Sequence, residues 1–148
     1  PGLGSDMSKP LPRTDPAALW FAEAQHDFAA RLRWSTTPDP AAVNHAPEIE
    51  LLSPQAVDAL PGSIVDLAAE VSDPDDDDVV VRWWEDVEAG SGTPSGVFED
   101  TGQASTRFRI AEDVVAGSEV HLVLSARDDG EPSLTRHARV VVSIVGAP

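Results

Sequence analysis

The residues best equipped for chemistry are five aspartates within six positions, Asp73, Asp75, Asp76, Asp77 and Asp78, in the run "SDPDDDDVVVRWWEDVEAG" over residues 72–90. A later turn, "RDDGEP", adds Asp128, Asp129 and Glu131. Clustered carboxylates can do three things. They can hold Ca²⁺, which takes roughly six to eight oxygens from carboxylates and carbonyls. They can form an acid–base pair, which needs a cleft and one raised pKa. Or they can stay solvated, since two carboxylates ~6 Å apart in water repel by only ~0.7 kcal/mol. A crowded, exposed loop has no apolar pocket to raise a pKa, so catalysis is the weakest reading. Calcium and the solvated turn stay open, with Asp73, Asp75, Asp77, Asp128 and Asp129 as candidate ligands.

Other reactive chemistry is sparse. With no cysteine there is neither a disulfide framework nor a thiolate. His26, His45, His121 and His137 are scattered; His121 and His137 fall on strands that could pair, but no third ligand completes a transition-metal site. No G-x-S-x-G elbow and no glycine-rich phosphate loop occurs. Ten basic against 26 acidic residues give a net charge of −16, which opposes binding to a phosphate backbone or an anionic membrane. No apolar run approaches the ~18 residues of a membrane span, and the first residues lack the apolar stretch of a signal peptide. In an exported parent protein the signal would have been cut or would lie upstream.

Two regions of different pattern must position these groups. Before Pro38, "TDPAALWFAEAQHDFAARLRW" reads as one helix over 15–34, following an extended or disordered tail over 1–14. Asp15 suits the cap and Pro16 the first helical position. Ala17, Trp20, Phe21, Ala24, Phe28 and Leu32 recur at helical spacing as one apolar stripe. Arg31 and Arg33 suit the negative end of the dipole. An isolated helix of this length is marginal in water, so the stripe must dock on something, with Trp20, Phe21 and Phe28 as anchors. A Pro-rich linker over 35–47 follows.

From residue 48 to 146 the period becomes two. The segments "SIVDLAAEV", "DVVVRWWE", "STRFRIA", "EVHLVLSARD" and "TRHARVVVSIV" alternate, and strands near 48–53 and 96–100 bring the number to about seven. Short alternating strands between Gly, Pro and Asp turns predict an all-β, Ig-like antiparallel sandwich preceded by one helix. Parity places Val65, Leu67, Ala69, Val71, Trp83, Phe108, Ile110, Val120, Leu122, Leu124, Val140, Val142 and Ile144 inward. In this topology the loops after the second and sixth strands meet at one end, so the two acidic turns should converge. Trp84 then faces outward, either as a platform for a sugar ring, with Phe98 as a lesser candidate, or, more plainly, packed against the helix stripe or a missing neighbour.

The ordered set "NHAP", "SDPD", "RWW" with "EAG", and "DDGEPSLTR" resembles the C-terminal Ig-like domain of the cellulose-binding, nucleoside-hydrolase-like bacterial protein family. The helix with "NHAP" is similar to the segment that ends that family's hydrolase-like domain and leads into the sandwich. The resemblance implies a secreted, periplasmic or cell-envelope protein whose N-terminal hydrolase-like domain performs any N-glycosidic hydrolysis. The present chain would then be a non-catalytic accessory domain that packs against that partner and contacts polysaccharide. Rival readings are a carbohydrate-binding module proper and a calcium-stabilised extracellular spacer. The D-x-D-x-x-x-D-D motif of nucleoside hydrolases does not fit: started at Asp73 it ends on Val79 and Val80, started at Asp75 on Val81 and Arg82. The chain also has no tyrosine, and Asp76 replaces the glycine usual in "DPDGD", so the turn is expected to lack a residue suited to positive φ.

Overall fold

The computed structural model describes residues 16–39 and 43–146, which fall into two units, one ending at Val43 and the other beginning at Asn44. The expected tail over 1–14 and the Asp15 cap lie outside the described residues.

In the first unit, α1 runs Pro16–Thr36. It continues two residues past the expected end because hydroxyls serve the carbonyls that a helix terminus leaves unpaired. Ser35 Oγ donates to Leu32 O at 2.8 Å and Thr36 Oγ1 to Leu32 O and Arg33 O at 3.2 Å. Thr37 N closes the last turn on Arg33 O at 2.9 Å. Arg31 Nε meets Asp27 Oδ2 one turn back at 2.7 Å, an exposed pair that contributes only tenths of a kcal/mol. The aromatic stripe stays open to solvent: Phe21 is 60% and Phe28 64% exposed, and Trp20 and Leu32 are exposed as well.

The second unit is an Ig-like sandwich of nine short strands. They are β1 (Glu48–Leu51), β2 (Ala56–Ala59), β3 (Ile64–Leu67), β4 (Ala69–Ser72), β5 (Val79–Glu85), β6 (Gly96–Phe98), β7 (Thr106–Ile110), β8 (Glu119–Asp128) and β9 (Thr135–Ile144). One layer has the order β2-β9-β8-β5; β3-β7-β6 and the pair β1-β4 make up the other side. The strand number exceeds the expected seven at two places. The segment read as one strand over 63–71 breaks at Ala68, whose carbonyl accepts Leu52 N at 2.9 Å and Ser53 N at 3.1 Å, while its own N–H donates to Ser53 Oγ at 3.3 Å. The other addition is β2, "AVDA", whose alanines carry little β preference. It pairs parallel with β9, Ala56 opposite Val141 and Ala59 opposite Ile144, so the sandwich is antiparallel except at this edge.

Inward parity holds. Trp83, Phe108, Leu67, Ile110, Val120, Leu122, Leu124, Val140, Val142 and Ile144 form one buried cluster between the layers. Trp83 is wholly buried, and a Trp-sized burial is worth about 4–6 kcal/mol of transfer free energy. Gly96 lets β6 approach β7: a Cβ there would lie 2.2 Å from Arg109 O and 2.6 Å from the Phe108 ring.

Candidate functional site

The acidic apex is built from the β4–β5 and β8–β9 loops, and the two turns do meet. Asp78 N donates to Asp129 Oδ1 at 3.0 Å, and Asp129 N donates to Asp78 O at 3.1 Å. Asp73 organises the first loop: its Oδ1 accepts Asp75 N at 2.8 Å and Asp77 N at 3.3 Å. That curl brings one oxygen from each of Asp73, Asp75 and Asp77 within 4.8 Å of one another. Asp73 Oδ2 is shielded from water and has no hydrogen-bond partner among the described residues. The turn also corrects one expectation. Asp76 takes φ 61°, the positive value that a glycine would adopt more freely, and aspartate tolerates this region better than most residues.

The carboxylates differ in electrostatics. At Asp77, partial removal from water, then the charges of Asp73, Asp129, Asp128 and Asp75, push the pKa above 3.8. At Asp75 desolvation opposes ionisation but is outweighed by His45, whose amide, imidazole and charge hold the pKa below 3.8. His45 N donates to Asp75 Oδ2 at 2.6 Å, and its Nδ1 lies 3.0 Å from Oδ1. Asp128 departs from the expected exposed ligand. It is 3% exposed, and its oxygens accept Asn44 Nδ2 at 3.1 Å, Leu134 N at 2.8 Å and Gly130 N at 3.2 Å. Gly130 must lack a side chain, since a Cβ would lie 2.3 Å from Asn44 Nδ2.

The structure therefore gathers Asp73, Asp75 and Asp77, commits Asp128 to holding its own loop, and sets Asp129 against the Asp78 amide. Asn44 and His45 carry no site role in the sequence; their signals are the motif "NHAP" and its place, polar residues just before the first strand, with each acidic loop needing a donor.

The aromatic candidates separate likewise. Phe98 is turned to the core, its ring 6.4 Å from Trp83 and 4.8 Å from Phe108 between centroids, so it is not the exposed sugar platform considered for it. Trp84 lies on the outward face of β5, half-buried, opposite Val123 of β8. Its Nε1 donates to Ser125 Oγ at 2.8 Å, and Ser125 Oγ lies 2.9 Å from His137 Nδ1. His121 and His137 are not neighbours: His137 stands opposite Ser125 and His121 opposite Val141. The His121 side chain is largely buried, 12% exposed, with Nε2 3.6 Å from Glu119 Oε2.

The profile of one protein family, "Cellulose-binding protein Sde0182, C-terminal domain", matches residues 64–144, more than half of the chain and most of the sandwich. The chain belongs to that family. Its fold is similar to that of a nucleoside hydrolase-related protein from Saccharophagus degradans that is associated with carbohydrate metabolism, with a TM-score of 0.79 and 30% identity over 86% of this chain. The chain spans about a third of that protein, 32% of its length. A fainter likeness, TM-score 0.45 and 20% identity over 70% of this chain and 48% of the other, is to fibronectin(III)-like modules of Clostridium thermocellum CbhA. No curated protein matches the chain. Among the described residues, no helix is long and apolar enough to cross a membrane.

Proposed function

We propose that this chain is a non-catalytic C-terminal accessory domain of a secreted or cell-envelope protein, packing against a hydrolase-like domain and contacting polysaccharide through Trp84. The observation that carries the reading is the exposed stripe of α1, Trp20, Phe21, Phe28 and Leu32, in a chain that spans 32% of the Saccharophagus protein. A helix with large exposed aromatics on one face is the half of an interface whose other half lies in another body. Family membership supports the sugar role, since the family takes its name from a cellulose-binding protein.

Three measurements test this. An apolar fluorescent dye should bind the chain, and Phe21→Ala with Phe28→Ala should cut that binding severalfold; undiminished binding would remove the stripe from the argument. In a cellulose pull-down, Trp84→Ala should lower retention, and equal retention of both proteins would release Trp84 from the role. Incubated with nucleosides, the chain should give no turnover above buffer.

A second reading is favoured by the Asp73, Asp75 and Asp77 trio and by the upward pKa shift at Asp77: the apex takes up calcium and stiffens the sandwich. The three carboxylates would supply the first oxygens, and a cation there would offset the desolvation and the mutual repulsion that raise the Asp77 pKa. Titration calorimetry should then show heat with Ca²⁺ at roughly millimolar concentration, together with a rise in melting temperature. Neither change would mean a purely solvated turn.

A further inference from the structure

The chain carries 26 acidic residues, yet one face has none at its centre. Because Trp83, Leu122, Leu124, Ala126, Val140 and Val142 point to the core, their alternates on β5, β8 and β9 lie on the other face of the layer, where Val123 is itself buried. The register sets them in rows: Val80 with Arg127 and Thr135, Arg82 with Ser125 and His137, Trp84 with Val123 and Arg139, then His121 with Val141. None of these positions is acidic, and three of the ten basic residues fall among them. Arg82, Arg127, Arg139 and His137 are all exposed. Arg127 Nε is held by Ser133 Oγ at 2.8 Å, whereas Arg82 and Arg139 have no ion-pair partner among the described residues.

The opposite layer provides the contrast. There Arg107 is neutralised by Asp66 at 3.2 Å and Glu99 at 3.8 Å. Carboxylates return only in the next row, Glu119 and Asp58 on either side of Ser143, and two guanidinium groups without an ion pair among the described residues leave their charge for a ligand.

We propose that this face binds a polysaccharide carrying carboxylates, a uronic acid-containing glycan, with Arg82, two residues before Trp84 on β5, and Arg139, two strands across from Trp84, pairing to its carboxylates. The inference rests on Trp84 contacting polysaccharide and narrows the ligand from a neutral glucan to an acidic one. Guanidinium groups match carboxylates in planar, paired hydrogen bonds. Two strands of separation and a two-residue offset place the Cα atoms of Arg82 and Arg139 about 12 Å apart, which suits a chain of repeating charges better than one small anion. The overall charge of −16 does not forbid this, because at ~0.15 M salt it is screened beyond ~8 Å and the local patch governs.

Affinity electrophoresis of the chain in gels containing polygalacturonate, or neutral hydroxyethylcellulose, tests the idea. Retardation by polygalacturonate should exceed that by hydroxyethylcellulose. It should fall about tenfold in the Arg82→Gln, Arg139→Gln protein and again in ~1 M salt, as paired charges require. The Arg107→Gln, Arg109→Gln protein should bind as the parent does, and melting curves check that both variants are folded. If the first pair unfolds the protein, Arg82→Lys with Arg139→Lys replaces it, and should weaken binding while keeping the charge. Equal binding of both glycans, or binding of the neutral one alone, overturns this inference and leaves the polysaccharide reading standing. Binding of neither overturns both. Equal loss in the Arg107, Arg109 variant overturns the assignment to this face.

Discussion

The helix and the sandwich handle their aromatic residues in opposite ways. The sandwich closes over Trp83 and Phe108, which are wholly buried between layers, while α1 leaves Phe21 and Phe28 more than half exposed. One region meets its hydrophobic needs with its own chain. The other has the pattern of a buried helix, yet among the described residues its Phe21 and Phe28 rings stay open to solvent. Sequence pattern therefore announces a demand for burial, and only coordinates show whether that demand is met locally.

The sharpest way to break this contrast is to truncate one aromatic from each region. Trp83→Ala should cost about 3–5 kcal/mol by denaturant unfolding, because it leaves a large cavity between packed layers. Phe28→Ala should change stability by no more than about 0.5 kcal/mol, as for any exposed position. A comparable loss from both would mean that α1 is as fully packed as the sandwich.

Within the sandwich the same contrast recurs at the acidic apex, between a carboxylate bonded by His45 and one surrounded by like charges. Asp75 is bonded by His45 and its pKa is lowered, so its contribution to stability is present above pH 3.8 and is lost as pH falls through the lower folded-state value. Asp77 is raised, so its ionisation opposes folding, and that penalty disappears as pH falls through the raised value towards 3.8. Asp75→Asn should accordingly lower the melting temperature at pH 7, and Asp77→Asn should raise it. Both differences should shrink when the melts are repeated near pH 3. Shifts of the same sign at pH 7 would show that the loop responds only to total charge.

The smallest effect concerns the turn itself. Asp76→Gly should stabilise by up to about 1 kcal/mol, since glycine reaches positive φ without the steric cost. A loss of stability would mean that the Asp76 side chain holds the turn by a contact of its own.

How much of this could be read from the residues follows from how local each cause is. Alternation identified the core of β5, β7, β8 and β9, including Trp83 over Trp84, because parity is a property of consecutive residues. The family could also be recognised, since "NHAP", "SDPD" and "DDGEPSLTR" keep their order along the chain. The break at Ala68 was hidden because it depends on Ser53, 15 residues away. β2 was hidden because four weak strand formers are held by a distant edge of β9. Asp128 looked like its neighbour Asp129 in the sequence, but Asn44, 84 positions earlier, decides that one carboxylate turns inward.

The β2–β9 pairing has a mechanical consequence. Near one end of the sandwich the chain passes through β2, and near the other through β9, and these strands run in the same direction. Their ladder is extended by Val141 N to Gln55 O at 2.8 Å and Val145 N to Ala59 O at 2.9 Å. Tension applied through the two ends would drag the strands past each other lengthwise, loading all those bonds together instead of peeling them one by one. Such a pull would have to break the parallel ladder as one unit.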